Sequence, residues 1–542
     1  MGDVLDKKYI LALDVGSTTI RCHVLNKQAE SLGAGTDKVT ELYPERGRVE
    51  ISPTDLWSKI RRVVDIAILN SKISVGEIRC LGISTQRGTF ITWNRTTGEP
   101  YHNFISWKDI RADSLVKSLN GSLWMRVTVR LLWVLENIQG LREAAAKGDV
   151  MFGTLDTWIL YKLSGGEIHV SDISSASATG LFDPFTLSWA EWAFFLFKIP
   201  SSILPQVVDS AGHHFGHVKA EIWGEKIPIQ CSLADQAASL FGSGCFKAGD
   251  LKVTLGTGSF LSVNTGQIPH ASVAGLYPLV GWRIKDELVY AVEGSAYDTG
   301  SLISWANLTG NVEESSRVAS SVNTSDGVYF IPAFSGLQAP INDSKAAAGF
   351  IGVKPSTSLA NLVRAILESI IFRTGQLYEI LLDEASFSYS HIRIDGGVSK
   401  NDFVCQSIAN HTGLAVERPV FTDVSILGVA YMAGLFSGLW KSRDEIIDLR
   451  KLDQIFSPKP VSTDYKKAYL EWEKAILRFK NWTDSGKLLF PPVCIHTSFY
   501  SQSTNLYCYI LSSLYGLFIY SFLTSRSKET KYKTVSFMLL IY

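Results

Sequence analysis

Residues 11–22, LALDVGSTTIRC, decide how the chain folds. An apolar run over residues 10–13 meets Asp14, then Gly16, then three consecutive hydroxyls, Ser17, Thr18 and Thr19. With its flanks the stretch reads as strand, tight loop, strand over residues 9–25 (YILALD, VGSTT, IRCHVL). A short Gly/Ser/Thr loop between strands exposes backbone N–H groups and hydroxyls together, a concavity suited to an anion and above all to phosphate. Taken singly, such a loop is also what an ordinary hairpin turn requires.

The same shape returns at residues 251–266, LKVTLGTGSFLSVNTG, with Gly256 and Thr257 where the first hairpin has Gly16 and Ser17. Two matched hairpins form a weak internal repeat, each opening a domain. They could face one another across a cleft and hold the two ends of one polyphosphate. Asp14 sits at a strand end, where burial penalises a charge that lacks a partner. A carboxylate beside phosphates suits Mg²⁺, often held through water; alone, Asp14 would equally serve as a turn cap.

Between and after the hairpins, helical periodicity predicts helices over residues 54–70, 234–242, 360–385 and 425–440. Residues 79–84 and 391–395 read as strands. Strands alternating with helices make an α/β protein. The Gly-rich GSGCFKAGD places a domain boundary near residues 243–250.

At 542 residues the chain is too long for one core. Its 46% hydrophobic and 19% charged residues suit packed globular domains, and a net charge of +0 gives no pull toward nucleic acid or an anionic membrane. Seven scattered cysteines (Cys22, Cys80, Cys231, Cys245, Cys405, Cys494 and Cys508) show no C-x-x-C pair, which argues for a reducing compartment and against a zinc site. The opening MGDVLDKKYI has no apolar h-region, so no signal peptide is expected. No G-x-x-x-x-G-K-[ST] occurs, and the protein-kinase set is missing. GTGSFL and GAGTDK both fail G-x-G-x-x-G.

Eight segments, LALDVGSTTIR, GISTQRGTFITWN, FGTLDTWILYKLSGG, PIQCSLADQAASLFG, LGTGSF, FIPAFSGLQAP, GFIGVKPSTSLANLVRAILESI and IDGGVSKNDF, fall in the order seen in the FGGY carbohydrate kinases. Over residues 8–483 the chain resembles that family, and within it the glycerol kinases and their divergent animal branch. The resemblance implies two actin-like (RNase-H-like) α/β domains around a cleft that closes on ATP and a polyol. It implies an N-terminal domain at 8–243, a C-terminal domain at 244–445 and a helical extension at 446–487.

The resemblance also implies roles. Ser17, Thr18, Thr19 and Arg21 match the first phosphate loop, and Asp14 the aspartate associated with Mg²⁺. Thr257 matches the second phosphate loop. Gly300, Gly397 and Asn401 match positions that contact the nucleotide. Arg87, Trp107, Phe260, Asp235 and Gln236 match the acceptor site, with Asp235 as catalytic base. On this basis the expected reaction is ATP-dependent phosphorylation of glycerol to sn-glycerol 3-phosphate, in the cytoplasm, with no nucleic-acid partner and a homo-oligomer allowed. Without the motif, Asp235 would read as a helix-start aspartate, Arg87 as a surface arginine and Trp107 as a core aromatic.

Four departures stand out. Gly88 follows Arg87 where glycerol kinases commonly carry Glu, which removes a carboxylate acceptor for a hydroxyl. Residues 115–140 are contracted, with WMRVTV across the gap and a tyrosine of the family missing. Ser304 replaces a glutamine. The tail at 488–542 matches nothing in the family: residues 488–525 hold no Asp, Glu, Lys or Arg. Residues 506–523 are just long enough for a membrane span with positive flanks; serines and tyrosines dilute the run, and the plainer reading is an appended segment with no role in the fold. These departures leave open another polyol or sugar as acceptor, or a catalytically impaired nucleotide-binding protein.

Overall fold

The structure is a computed structural model that describes residues 7–112, 115, 126–306, 312–385, 387–460 and 463–482. The candidate membrane segment and the rest of the 488–542 tail lie outside the described residues, as does most of the first half of the contracted region. Among the described residues no helix is long and apolar enough to cross a membrane.

The first hairpin is β1 (Tyr9–Val15) and β2 (Thr19–Leu25), paired antiparallel with Asp14 opposite Arg21. β2 continues antiparallel into β3 (Ser31–Lys38). Next comes α1 (Pro53–Ser71), one residue longer at each end than its periodicity predicts. Ser52 caps its start by accepting from the Asp55 N–H, and Pro53 fits a first turn that has no use for its missing donor. β4 (Ile78–Thr85) then lies parallel to β1, and β5 (Ile227–Ala234) parallel to β4. β1, β4 and β5 are buried almost throughout, as parallel strands covered on both faces must be. β5 runs directly into α2 (Asp235–Gly242), so Asp235 opens a helix at the end of a central strand.

The second lobe repeats the plan. β6 (Leu251–Leu255) and β7 (Ser259–Gly266) form its hairpin, and β8 (Tyr277–Ile284) and β9 (Glu287–Ala296) extend the antiparallel side. After α3 (Leu359–Glu384), β10 (His391–Asp395) lies parallel to β6. After α4 (Asp402–Thr412), β11 (Ala415–Pro419) lies parallel to β10. α5 (Val424–Phe436) precedes the edge strand β12 (Leu452–Phe456), and α6 (Thr463–Phe479) buries Trp472 against Phe372. The sheet orders are β5-β4-β1-β2-β3, with His217–Val218 on the β5 edge, and β8-β9-β7-β6-β10-β11-β12. In both lobes a hairpin and its antiparallel neighbour flank two parallel strands. The internal repeat is therefore architectural.

The helix expected over 425–440 stops early. Gly438 adopts φ +76°, and the Leu439 N–H turns back onto the Gly434 carbonyl at 2.8 Å, which ends the helical run. Each lobe has its own core, and a third, with Leu233, Ala238, Phe241, Trp282 and Val429, joins them where α2 and α5 cross.

Candidate active site

Both hairpin loops open on one cleft of about 320 Å³ between the lobes. Each loop is closed by its own backbone, Gly16 N–H to Thr19 O and Gly256 N–H to Gly258 O, both at 3.0 Å. Across the gap the Thr18 and Thr257 hydroxyls touch, Oγ1 to Oγ1 at 3.1 Å. The second loop is fixed from behind by the Thr299 and Gly300 N–H groups, which donate to its carbonyls at 3.0 Å. A side chain at Gly300 would drive Cβ to 2.6 Å from the Gly256 oxygen, so glycine is needed there to let the loop sit.

Beneath the first loop the Asp14 carboxylate is 4% exposed. It accepts from the Ser84 hydroxyl at 2.7 Å and faces Arg21 at 3.7 Å. Arg21 also reaches Asp423 of the second lobe at 3.4 Å. Burial lifts the Asp14 carboxyl above its ordinary range, against the Ser84 hydrogen bond and the Arg21 charge.

Asp235 lies in the same cleft. Its neighbour is Arg87, whose Nε stands 3.5 Å from Oδ1. The Arg87 guanidinium donates to Glu293 Oε1 from the opposite lobe at 2.5 Å and lies 5.7 Å from the centre of the Phe260 ring. Burial pushes the Asp235 carboxyl up to about 6; Arg87 opposes the shift, and the Asp14 and Glu293 charges add to it. A carboxylate in that range is deprotonated near neutrality yet basic enough to take a proton. Trp107 ties the two ends of the site together. Its indole N–H donates to the Ser17 hydroxyl at 2.8 Å, and its ring meets Tyr297 edge to face at 5.4 Å.

Residues 9–242 match the N-terminal domain of the FGGY family of carbohydrate kinases, and residues 251–436 match the C-terminal domain. The chain belongs to the FGGY family of carbohydrate kinases. As a member it is an ATP-dependent kinase that transfers phosphate to an alcohol group. It is 46% identical over 513 residues to glycerol kinase 5 of Danio rerio, an alignment spanning 88% of this chain and 97% of that one. To glycerol kinase 5 of Homo sapiens it is 44% identical over 507 residues, spanning 88% and 96%. Among solved structures it resembles Plasmodium falciparum glycerol kinase with ADP, at a TM-score of 0.79, 29% identity and coverage of 88% and 98%.

In this FGGY kinase most of the residues singled out from sequence line one cleft: Asp14, Ser17, Thr18, Thr19, Arg21, Arg87, Trp107, Asp235, Gln236, Thr257, Phe260 and Gly397. Gly300 stands behind the second loop and does not line it. Asn401 is fully buried: its side chain accepts from the Val404 N–H and donates to the Val312 carbonyl and the Ser315 hydroxyl, which makes it a helix cap and a tie between helices. Where the contracted region resumes, Val127 and Arg130 reach the cleft, and Arg130 donates to the carbonyl of Gly88 at 3.0 Å.

Sequence reading missed two charged residues here. Glu293 is 4% exposed on β9. Lys252 is fully buried on β6 and donates to the Gln236 side-chain oxygen at 2.9 Å and to the Thr254 hydroxyl at 2.5 Å. A charge inside a strand otherwise apolar (ELVYAVEGSA, LKVTL) was the available signal. Because a lysine only donates, its bond fixes the Gln236 oxygen inward and leaves that amide's NH₂ for the cleft.

Proposed function

We propose that this kinase phosphorylates glycerol to sn-glycerol 3-phosphate, with Asp235 as general base. The observation that carries the reading is the contact between Thr18 and Thr257 in a cleft that Asp235 and Arg87 also line. In this reading the triphosphate enters between the two loops and trades their mutual hydrogen bond for hydroxyl and N–H contacts of its own. The acceptor lies against Trp107 and Phe260, its hydroxyls on Arg87 and Gln236. Asp235 orients the reacting hydroxyl in line with the γ-phosphate and takes its proton. Help of this kind is typically worth about 10²–10⁴-fold in rate.

Asp14 is the residue that would hold Mg²⁺. Its carboxylate is a hard oxygen donor on the phosphate side of the cleft. Among the described residues no group of three or more His, Cys, Asp or Glu could form a cage. That donor set fits a cation that arrives with the nucleotide and keeps most of its water. When bound, Mg²⁺ neutralises charge on the phosphates. We take residues 8–243 and 244–445 as the two lobes. The five described cysteines are free and buried, which supports a reducing, cytoplasmic setting.

The deciding experiment is an ADP-release assay on purified protein over a panel of polyols and sugars, with Asp235→Asn as control. Glycerol-dependent release that is lost in the control supports the proposal. Gly88 favours a second reading, another polyol or sugar as acceptor, because the position offers no carboxylate to a hydroxyl; turnover of another acceptor with glycerol inert would establish it. ADP binding with no acceptor-dependent release would mark an impaired nucleotide-binding variant.

A further inference from the structure

Glu293 faces the cleft from the second lobe. The β7–β9 pairing sets it opposite Ser262, on the same face as Phe260 and Ser295. Its two oxygens are both engaged: Oε2 accepts from the Ser262 hydroxyl at 3.1 Å, and Oε1 from Arg87 Nη2 at 2.5 Å. Arg87 comes from the first lobe and meets Asp235 through Nε. A guanidinium is a flat, rigid fork. With Nη2 held by Glu293 and Nε near Asp235, its plane and direction are set. Nη1 makes no hydrogen bond among the described residues and remains for the acceptor.

We propose that Glu293 is a positioning residue for phosphoryl transfer, fixing Arg87 so that it presents to the acceptor only when the lobes are closed. The proposal rests on the polyol-kinase reading above and names a determinant of acceptor affinity within it. Because the two partners belong to different lobes, opening the cleft breaks the pair and releases Arg87 from its set orientation. The acceptor is then gripped in the closed state, in which the phosphate loops also meet.

The charged groups that face Asp235 are Arg87 and Asp14 from the first lobe and Glu293 from the second. Lys252 engages the adjoining Gln236, and Asp395 the Ser239 hydroxyl one turn along α2. Removing the Glu293 charge therefore lowers the Asp235 pKa, and the acid limb of the pH profile reads this directly.

The test is steady-state kinetics on the full chain, with the best acceptor from the panel, comparing wild type with Glu293→Gln and Glu293→Asp, and calorimetry with ADP alongside. Both variants are expected to raise the acceptor KM about ten-fold, the scale of a lost hydrogen bond to a charged group. KM for ATP and the Kd for ADP should stay within about two-fold. Only Glu293→Gln should move the acid limb of kcat/KM to lower pH. In an Arg87→Ala background Glu293→Gln should add little, since the two residues act as one unit. An active wild type with an unchanged acceptor KM in Glu293→Gln, or full multiplication of the Arg87 and Glu293 effects, overturns the proposal alone. Should Glu293→Gln fail to fold, Glu293→Asp decides on the acceptor KM. A wild type inert on every acceptor removes the kinase reading and this proposal with it.

Discussion

Thr18 and Thr257, one from each lobe and 239 positions apart, meet hydroxyl to hydroxyl at 3.1 Å. The contact closes the end of the cleft where the proposed reading puts the triphosphate, and each hydroxyl is free to turn toward an anion that enters. Thr257→Ala removes one such group without disturbing the backbone that Thr299 and Gly300 hold. We expect ATP and ADP to bind about five- to ten-fold more weakly, the worth of roughly one hydrogen bond. The acceptor KM should move by less than about two-fold. Thr18→Ala should behave alike, and the double variant should lose less than the product, because the neighbours serve one anion. Calorimetry with ADP checks all three.

The Asp235 carboxyl, pushed up to about 6 by burial and by Asp14 and Glu293, fixes a pH dependence. As the proposed base, Asp235 works deprotonated. Activity should be level above about pH 7 and fall roughly ten-fold per unit as pH drops below about 6. A carboxyl at the ordinary 3.8 would hold activity two units further down. The kcat/KM for the acceptor, measured from about pH 4.5 to 8, distinguishes the two.

Gly88 adopts φ +69°, and the nearest atom to a Cβ built there is Trp107 Cβ at 3.5 Å. Space is available, so the cost of a side chain is that of the left-handed backbone. Gly88→Ala should lose about 1–2 kcal/mol. Gly88→Asn should lose less, since asparagine tolerates that region. Thermal melts of the pair test the order, and equal losses would point to crowding in place of backbone strain.

Much of this was written in local sequence. The hairpins declared themselves by hydroxyls between apolar strands, and the helices by their period. Asp235 was legible as the residue where a buried strand becomes a helix. The cross-lobe pair of Arg87 and Glu293 was not. Arg87 and Glu293 lie 206 positions apart, and nothing near either residue encodes the other. Asn401 shows a different limit: a side chain that caps a helix and one that touches a ligand look the same in a motif, and its burial and its bond to the Val404 N–H became visible only in the structure. The early end of α5 turned on one glycine's backbone angle.

The crossing of α2 and α5 sets where Asp235 stands between the lobes, and it depends on glycine for closeness. A Cβ at Gly428 would lie 1.8 Å from the Ala238 carbonyl oxygen, and one at Gly242 would lie 2.3 Å from the Val424 oxygen. Both obstacles are backbone, so the helices themselves must part. Gly428→Ala should therefore destabilise by at least the 1–3 kcal/mol typical of an overpacked core, despite alanine's better helix propensity. On the proposed mechanism it should also weaken catalysis, since α2 carries Asp235 and any shift of that helix moves Asp235 relative to the loop at residues 256–258. Ala430 on the same helix is fully buried, and Ala430→Gly serves as a control that removes a buried methyl without introducing a clash. Melting temperature and kcat should fall together in Gly428→Ala. Wild-type values for both would mean that the helices approach less closely than 1.8 Å implies.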